Sequence, residues 1–291
     1  RGELKVTAEV GEDPTAFAEI YQPLTLGQTW FVAASVVRTR DTNLLPVEDP
    51  VFAKYRTDFA AMEVDLGLQL GRFGELRFGV TRGVGRSRLQ GEAPPERSDE
   101  LPSVVDFDRG GLHFVGVLDQ FDNMNFPRHG FFTFVDYFGS REDLGGELDY
   151  DRVLGFLGGA VTHGRHTALG LVNVFSALGS DSTETFSLGR LFAGSGYRPD
   201  EITGRYGGSA ALLYLLRLSN LPPTLGDGIY AGLSIEAANL WQESSQVDLG
   251  DLKYSASISL GLDTLFGPIY LAQAFNEDGR GITYLFIGRT F

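Results

Sequence analysis

Apolar and polar residues alternate with a period of two in long segments from one end of the chain to the other, for example over residues 3–10, 61–70 and 253–263. These segments are long enough for the ~9–11 residues of a tilted membrane strand, whereas strands of soluble proteins centre on ~5–6. No stretch approaches the ~18 consecutive apolar residues of a membrane helix. Because only helices and closed barrels satisfy every backbone hydrogen bond in lipid, the pattern predicts an all-β, antiparallel transmembrane barrel.

The predicted strands follow one another about every twenty residues and number about fourteen, since two adjacent segments, 51–58 and 59–70, can form a single strand. The segments are 3–10, 16–24, 29–40, 51–58, 59–70, 75–89, 104–119, 131–141, 149–162, 167–178, 206–218, 228–240, 253–264, 268–275 and 282–291.

The connections between these segments differ in length. Short turns are predicted at residues 72–74, 164–166 and 264–266, and long polar loops at residues 91–102, 179–204 and 242–251. In bacterial barrels the short turns are periplasmic and the long loops extracellular. No linker or low-complexity tract divides the chain, so we predict one domain over residues 1–291.

The net charge of −14 and the pI near 4.7 argue against a nucleic-acid partner, which would require a basic surface. The absence of cysteine removes disulfides, thiolate catalysis and Cys-ligated metals. The acidity is typical of solvated loops and of the polar lining of a barrel.

Motifs for catalysis and metal binding are missing from the sequence. Residues 194–196 read Gly-Ser-Gly, but the serine lacks the upstream glycine of a G-x-S-x-G nucleophile elbow. Polar-face carboxylates could form an acid pair, but we expect arginines such as Arg77 to balance them. These carboxylates are Glu63, Asp65, Glu236 and Asp263. The four histidines are too few and too scattered to form a metal cluster; they are His113, His129, His163 and His166. We therefore predict a non-catalytic chain with no metal site and no cofactor.

The alternation also assigns side chains to faces of the sheet. Leu66 and Leu260 belong to the apolar face and should contact lipid, whereas Gln69 and Ser257 belong to the polar face. Aromatic side chains are favoured at the membrane–water boundaries. We expect Trp30, Trp241 and Tyr270 there.

From about residue 120 onward, the sequence resembles the outer-membrane-protein-85 superfamily, also called the bacterial surface antigen family. Residues 122–131 resemble the turn of this family in which a proline and, three residues later, a glycine precede a strand, here Pro127 and Gly130. Residues 235–241 resemble its strand with an inward acid, here Glu236. Residues 261–271 resemble its penultimate hairpin, with Gly267 and Pro268, and the chain ends on Phe291 as many outer-membrane proteins do.

Two further segments resemble the patatin-like, type Vd autotransporters within this superfamily. Residues 18–24, followed by Trp-Phe-Val at 30–32, are similar to a hairpin of that branch. Residues 195–204 are similar to its long extracellular loop, which folds into the lumen. The residues of this loop motif are Ser195, Gly196, Tyr197, Arg198 and Gly204.

The resemblance implies a contact between this loop and the barrel wall. In secretion and insertase members the loop reads V/I-R-G-F/Y, and its arginine reaches an acid inside the barrel. Ser195 occupies the arginine position here. Arg198, or else Arg205, could replace it as partner of Glu236. The alternative is a loop packed by Tyr197 without any arginine.

The resemblance also implies about sixteen strands, so that two strands, a periplasmic POTRA domain and a lipase passenger would precede residue 1. The expected location is the bacterial outer membrane. The expected partners are outer-membrane lipids, the outer-membrane assembly machinery, the covalently attached passenger and a second copy in a homodimer.

Three functions fit these expectations. The favoured one is a translocator barrel that anchors and exports an upstream patatin-like passenger. The second is an outer-membrane protein assembly factor, which needs a weak seam at the last strand, where Thr283 and Gly288 lie. The third is a passive diffusion porin, which a loop 179–204 folded into the lumen disfavours.

Overall fold

A computed structural model describes residues 2–11, 13–48, 51–91, 102–179, 184–222 and 224–288. In this part of the chain, fourteen strands form one antiparallel sheet in chain order, and two short strands form a separate hairpin. The strands are β1 (Glu3–Glu9), β2 (Thr15–Pro23), β3 (Trp30–Glu48), β4 (Val51–Gln69), β5 (Gly74–Leu89), β6 (Val104–Asp119), β7 (Gly130–Ser140), β8 (Tyr150–His163), β9 (His166–Leu178), β10 (Phe186–Leu188), β11 (Ile202–Gly204), β12 (Tyr206–Asn220), β13 (Gly226–Trp241), β14 (Lys253–Thr264), β15 (Gly267–Asn276) and β16 (Gly281–Ile287).

The strands of the large sheet confirm the predicted segments. Residues 51–69 form the single strand β4, so the two segments predicted there are one strand. The short predicted turns are confirmed between β4 and β5, β8 and β9, and β14 and β15. Of the long loops, residues 242–252 carry two one-turn 3-10 helices, and most of 91–102 lies outside the described residues. The described residues contain no helix long and apolar enough to cross a membrane.

The exposure of alternate side chains is the reverse of that in a soluble sheet. On β13, Leu233 and Ile235 are 55% and 63% exposed, whereas Ser234 and Glu236 are each 4% exposed. Leu66 and Leu260 are likewise exposed and Ser257 is buried, as predicted. Large apolar side chains in water would cost free energy, so a regular row of them indicates a face that contacts lipid.

The structure places two of the predicted boundary aromatics on different faces of the sheet. Trp30 is exposed on the apolar face at the start of β3. Tyr270 is buried on the opposite, polar face, where its ring stacks on Phe126 with centroids 4.9 Å apart. Alternation alone left its direction ambiguous because Ile269 and Leu271 flank it, and both are apolar. Its assignment to the membrane boundary is wrong.

The chain divides into two compact units, each with its own polar-face interactions. The first comprises the described residues of 1–115, 137–151 and 179–182. The second comprises those of 116–136, 152–178 and 183–291, and it contains the loop and turn segments singled out in the sequence. A buried apolar cluster on the polar face of the second unit includes Phe126, Phe192, Tyr230 and Tyr270. Loop and turn side chains thus supply part of this core.

Candidate functional site, a loop bound to Glu236

The connection between β9 and β12 folds back onto the polar face of the second unit. Its strands β10 and β11 pair in antiparallel register, with Phe186 opposite Gly204 and Leu188 opposite Ile202. A buried cluster joins the loop to β13, and its members are Leu188, Tyr197, Ile202, Ala238 and Leu240. The predicted long loop is therefore an ordered hairpin in the part that the structure describes. Strands of three residues carry too little alternation to be recognised in a sequence.

Glu236 accepts hydrogen bonds from both the loop and the sheet. The backbone amides of Gly194 and Ser195 donate to Oε2 over 3.1 and 2.9 Å. The Ser195 hydroxyl donates to Oε1. On the sheet, Ser234 donates to Oε1 over 2.9 Å and Ser255 to Oε2 over 3.5 Å. Both carboxylate oxygens thus have donors, which a carboxylate removed from water requires.

The loop backbone is shaped to present those amides. Gly194 and Gly196 have φ values of +85° and +84°, in the left-handed region that glycine adopts without strain. Consecutive N–H groups in such a conformation form a concave site for an anion. The fully buried Ser195 hydroxyl also accepts a 3.0 Å hydrogen bond from the Phe192 amide, which closes the turn.

The structure brings Ser195 and Glu236 together but does not give Glu236 an arginine. Arg198 is exposed, and its backbone amide donates to Glu201 over 2.8 Å. The Arg205 guanidinium donates to the Ala177 carbonyl over 3.2 Å. Among the described residues, no basic side chain forms an ion pair with Glu236. The prediction that Arg198 or Arg205 pairs with Glu236 is therefore wrong, because backbone amides and serine hydroxyls occupy both carboxylate oxygens.

Gly196 and Tyr197 fasten the same turn to the last two strands. A Cβ on Gly196 would lie 2.6 Å from the Asn276 backbone nitrogen, so only glycine fits against β15 here. The Gly196 amide donates to the Tyr284 hydroxyl over 3.2 Å. The Tyr197 hydroxyl donates to Glu277 over 3.2 Å. Burial, together with the charge of Glu277, raises the pKa of Tyr197 to about 12, so the hydroxyl remains a donor at neutral pH.

An ion pair lies at the outer edge of the loop. The Arg280 guanidinium, between β15 and β16, is 2.5 Å from the Glu201 carboxylate. Burial raises the pKa of Glu201, but the Arg198 amide and the Arg280 guanidinium outweigh it, so the pKa lies below the usual value of 4.5. Both groups are partly exposed, so this pair contributes less than a buried pair of the same geometry.

The predicted turn around Pro127 contacts the polar face of the same strands. Pro127 is fully buried, and the Phe126 ring stacks on Tyr230 with centroids 4.5 Å apart. The Asp122 carboxylate accepts hydrogen bonds from the amides of Arg128 and His129, over 2.8 and 3.0 Å, and so closes the turn.

The glycines and prolines that carried the resemblance occupy turn and strand ends. Gly130, at the first position of β7, has a φ of +102°. Gly267 begins β15 with a φ of +112°, and Pro268 after it is fully buried. Gly204 ends β11 and pairs with Phe186. Phe291 lies outside the described residues.

The sequence did not reveal one buried polar cluster in the first unit. His113 on β6 contacts Asp65 on β4 through Nε2 and the Thr81 hydroxyl on β5 through Nδ1, the latter at 2.6 Å. Arg77 lies 4.0 Å from Asp65 and 2.5 Å from Glu19, so the expected balance of carboxylates by Arg77 is confirmed for Asp65. The His113 cluster was not predictable because the register between strands decides which side chains meet.

The sequence and the structure were compared with those of known proteins, and only the structure has matches. No family model and no curated protein matches the sequence. The structure is similar to that of BamA from Haemophilus ducreyi lacking POTRA domains 1–3, with a TM-score of 0.72 and 13% identity over 98% of this chain and 63% of that one. It is also similar to CdiB from Escherichia coli, with a TM-score of 0.51 and 14% identity over 95% of this chain and 51% of that one.

This chain thus spans 63% and 51% of the lengths of the two matched structures. Identities this low carry over the fold alone. With its apolar face exposed and its polar face lined by the bound loop, the chain has the transmembrane β-barrel fold of BamA.

Proposed function

We propose that this chain is the membrane-embedded translocator of a patatin-like type Vd autotransporter. In this role it anchors a passenger in the bacterial outer membrane and exports it. The observation that carries the proposal is the attachment of loop residues 194–197 to Glu236 on the polar face. In a barrel of this kind the polar face lines the lumen, so a loop fixed there lies on the route of any exported segment.

The hydrogen bonds that hold the loop are of a kind that an exported segment can replace. Glu236 is bound by amide and hydroxyl donors, which can exchange with water or with the backbone of a passing segment. An arginine in the same place would add a charge pair that is costly to break in a confined site. An exported chain supplies backbone N–H groups of the kind that Glu236 already accepts. The loop can therefore be displaced without leaving the carboxylate unpaired.

On this proposal the chain performs no chemistry and needs no cofactor. Any phospholipase activity belongs to an upstream passenger. The resemblance of residues 18–24 and 195–204 to the patatin-like branch supports a non-catalytic barrel that carries a separate passenger.

An outer-membrane protein assembly factor is the second candidate. The similarity to BamA favours it, because the TM-score of 0.72 exceeds the 0.51 found for CdiB. The two candidates differ in what leaves the periplasm, which is the chain's own passenger in the first and barrels of other proteins in the second.

The full-length protein in its native host separates the candidates. Antibodies against the proposed upstream passenger, combined with protease treatment of intact cells, report whether that segment reaches the surface. We expect it to be accessible in the wild type. We expect Gly196→Trp, which does not fit against β15 and therefore displaces the turn, to leave it accessible while the barrel remains in the membrane.

Protection of the upstream segment in intact cells would contradict the autotransporter. If depletion of the protein also lowered the amounts of unrelated outer-membrane barrels, the assembly factor would replace it. If the upstream segment is exposed and other barrels are unaffected, the assembly factor is rejected.

A further inference from the structure

The apolar face of β3, β4 and β5 changes abruptly along the strands from apolar to basic. Residues that pair across β3, β4 and β5 form rows that cross the sheet. Counted from the short turn at residues 70–73, the first rows on this face are apolar: Trp30–Leu68–Leu76, Val32–Leu66–Phe78 and Ala34–Val64–Val80. The next rows are Val36–Met62–Arg82, Arg38–Ala60–Val84, Arg40–Asp58–Arg86 and Thr42–Arg56–Arg88. Paired residues of adjacent strands share one face, so the arginines project on the lipid side.

This transition marks the boundary of the hydrocarbon layer. Trp30 and Arg38 are eight residues apart on β3, which is about 27 Å of strand. At a tilt of about 40° this spans about 21 Å along the membrane normal, somewhat less than the ~25 Å apolar band of membrane barrels. The basic rows lie at the end away from the short turns. By the usual asymmetry of bacterial barrels this end faces the cell exterior, where the outer leaflet lies.

Cations exceed acids on this surface although the chain as a whole is acidic. Asp58 is the one acid among the described side chains of these rows, and Asp106 and Asp108 on β6 lie beside them. Arg40, Arg82 and Arg86 pair with these acids. Within the described residues, Arg38 and Arg56 form no ion pair. We refer to Arg38, Arg40, Lys54, Arg56, Arg82, Arg86 and Arg88 as the basic rim.

A groove of about 630 Å³ runs beneath the basic rim on the same face of β1–β5. Its floor is formed mainly by small side chains, with Ala8, Ala16 and Ala60 in one row and Ala18 beside the larger Val36 and Met62 in the next row towards the short turn. Both rows of the groove also carry a guanidinium group, since Arg38 lies between Ala16 and Ala60 and Arg82 lies beside Met62. An apolar groove with guanidinium groups in its lining, continued by the further arginines of the basic rim, matches a molecule with an acyl chain and an anionic head.

We propose that this surface binds the phosphorylated glycolipid of the outer leaflet, with an acyl chain in the alanine groove and its phosphates on the basic rim. Guanidinium groups recognise phosphate through paired N–H donors, and the guanidinium groups of Arg38 and Arg56 form no ion pair with any described carboxylate. These two residues lie two rows apart, so two phosphates of one headgroup can be held at once. The site is independent of the proposed export of a passenger, since it lies on the apolar face of the first unit, whereas Glu236 is a polar-face residue of the second.

The proposal is tested by titrating the chain in detergent with lipid A, the phosphorylated and acylated part of this glycolipid. Native mass spectrometry measures how much lipid A is bound. The double variant Arg38→Gln/Arg56→Gln removes two cations that form no ion pair in the described part of the chain. We expect it to weaken lipid A binding about thirtyfold, from the usual contribution of a basic residue near an anionic headgroup. Ala60→Phe fills the groove and should weaken binding without any change of charge.

Matched controls lie outside the groove. Ala34→Phe is an equivalent substitution on the apolar face, two rows nearer the short turn than Ala60, and Arg72→Gln removes a cation from that turn. Both should bind lipid A as the wild type does. Monophosphoryl lipid A should bind more weakly than lipid A, and phosphatidylcholine should not compete. Resistance of the folded band to SDS without heating verifies that each variant is folded.

Equal affinity of the folded double variant and the wild type would overturn the proposal. So would full displacement of lipid A by inorganic phosphate, which would mean an anion site without an acyl groove. If phosphatidylcholine bound as tightly as lipid A, the surface would only contact membrane lipid without selecting the phosphorylated glycolipid. A lipid-free dimer that Ala60→Phe abolishes would show that a second copy of the chain occupies the groove instead.

Discussion

Glu236 is the residue that holds the loop against the polar face of the sheet. It joins one loop and two strands through hydroxyl and amide donors, without a basic partner among the described residues. Its location on the polar face was predictable from the alternation of β13. Its partners were not, because nothing in the sequence shows that the Gly-Ser-Gly turn at 194–196 presents backbone N–H groups.

Removal of the Glu236 carboxylate should release the loop. Glu236→Ala leaves two amides and three serine hydroxyls without this acceptor, at about 1–3 kcal/mol for each buried group that water does not reach. We expect a higher conductance in planar bilayers, with Glu236→Gln intermediate because it keeps one acceptor oxygen. Glu63→Ala, which removes an acceptor of a single 3.3 Å hydrogen bond in the first unit, is the control. Unchanged conductance of Glu236→Ala would show that packing around Tyr197 alone holds the loop.

The Glu201–Arg280 pair should make the loop sensitive to acid. The pKa of Glu201 in the folded protein is below its usual value of 4.5. Its contribution is therefore fully present above about pH 4.5 and is lost as the pH falls through the lowered folded pKa. We expect conductance to rise in a step below pH 4.5, and Arg280→Gln to make that step smaller and move it to higher pH. A step identical in the wild type and in Arg280→Gln would assign it to another group.

At the scale of elements, the sequence predicted the strands of the large sheet because each has a long alternation. It failed where elements are short or where register matters. The hairpin of β10 and β11 has three residues in each strand. The contacts of His113 with Asp65 and Thr81 depend on how β4, β5 and β6 align. Tyr270 was misassigned because its neighbours are also apolar.

The loop hairpin depends on Gly196 through both its backbone and its neighbours. Gly194→Ala and Gly196→Ala introduce the same methyl group at nearly the same positive φ, so their backbone strain is similar. Only Gly196 approaches another strand closely, 2.6 Å from the Asn276 nitrogen against 3.4 Å for the nearest atom to Gly194. Hydrogen exchange of residues 189–205 should therefore accelerate more in Gly196→Ala. Equal acceleration in the two variants would assign the effect to φ alone.

The face assignment of β4 predicts an asymmetry between neighbouring positions. Leu66→Arg on the apolar face should destabilise the folded protein in liposomes by about 2–4 kcal/mol if it lies near the bilayer midplane. Gln69→Arg, on the polar face, should cost much less. The measurement is urea unfolding from lipid vesicles. Similar costs at the two positions would contradict the register of the strand.

At the scale of the whole chain, fold and function rest on different grounds. The fold follows from the strand pattern and from the structural similarity to BamA over 98% of this chain. The role in export is a proposal that rests on the bound loop and on short sequence resemblances. Both depend on one physical claim, which is that the exposed apolar face contacts lipid while the polar face is shielded from it.

Spin labels at consecutive positions of β14 test that claim most directly. The chain has no cysteine, so single cysteine substitutions at residues 256–262 can each be labelled without background. In liposomes, collision with oxygen, which concentrates in lipid, should be high at Ala256, Ile258, Leu260 and Leu262 and low at Ser257, Ser259 and Gly261. A period of two in oxygen accessibility is the result that this account predicts. Uniform accessibility along the strand, or high accessibility at the serine positions, would contradict it.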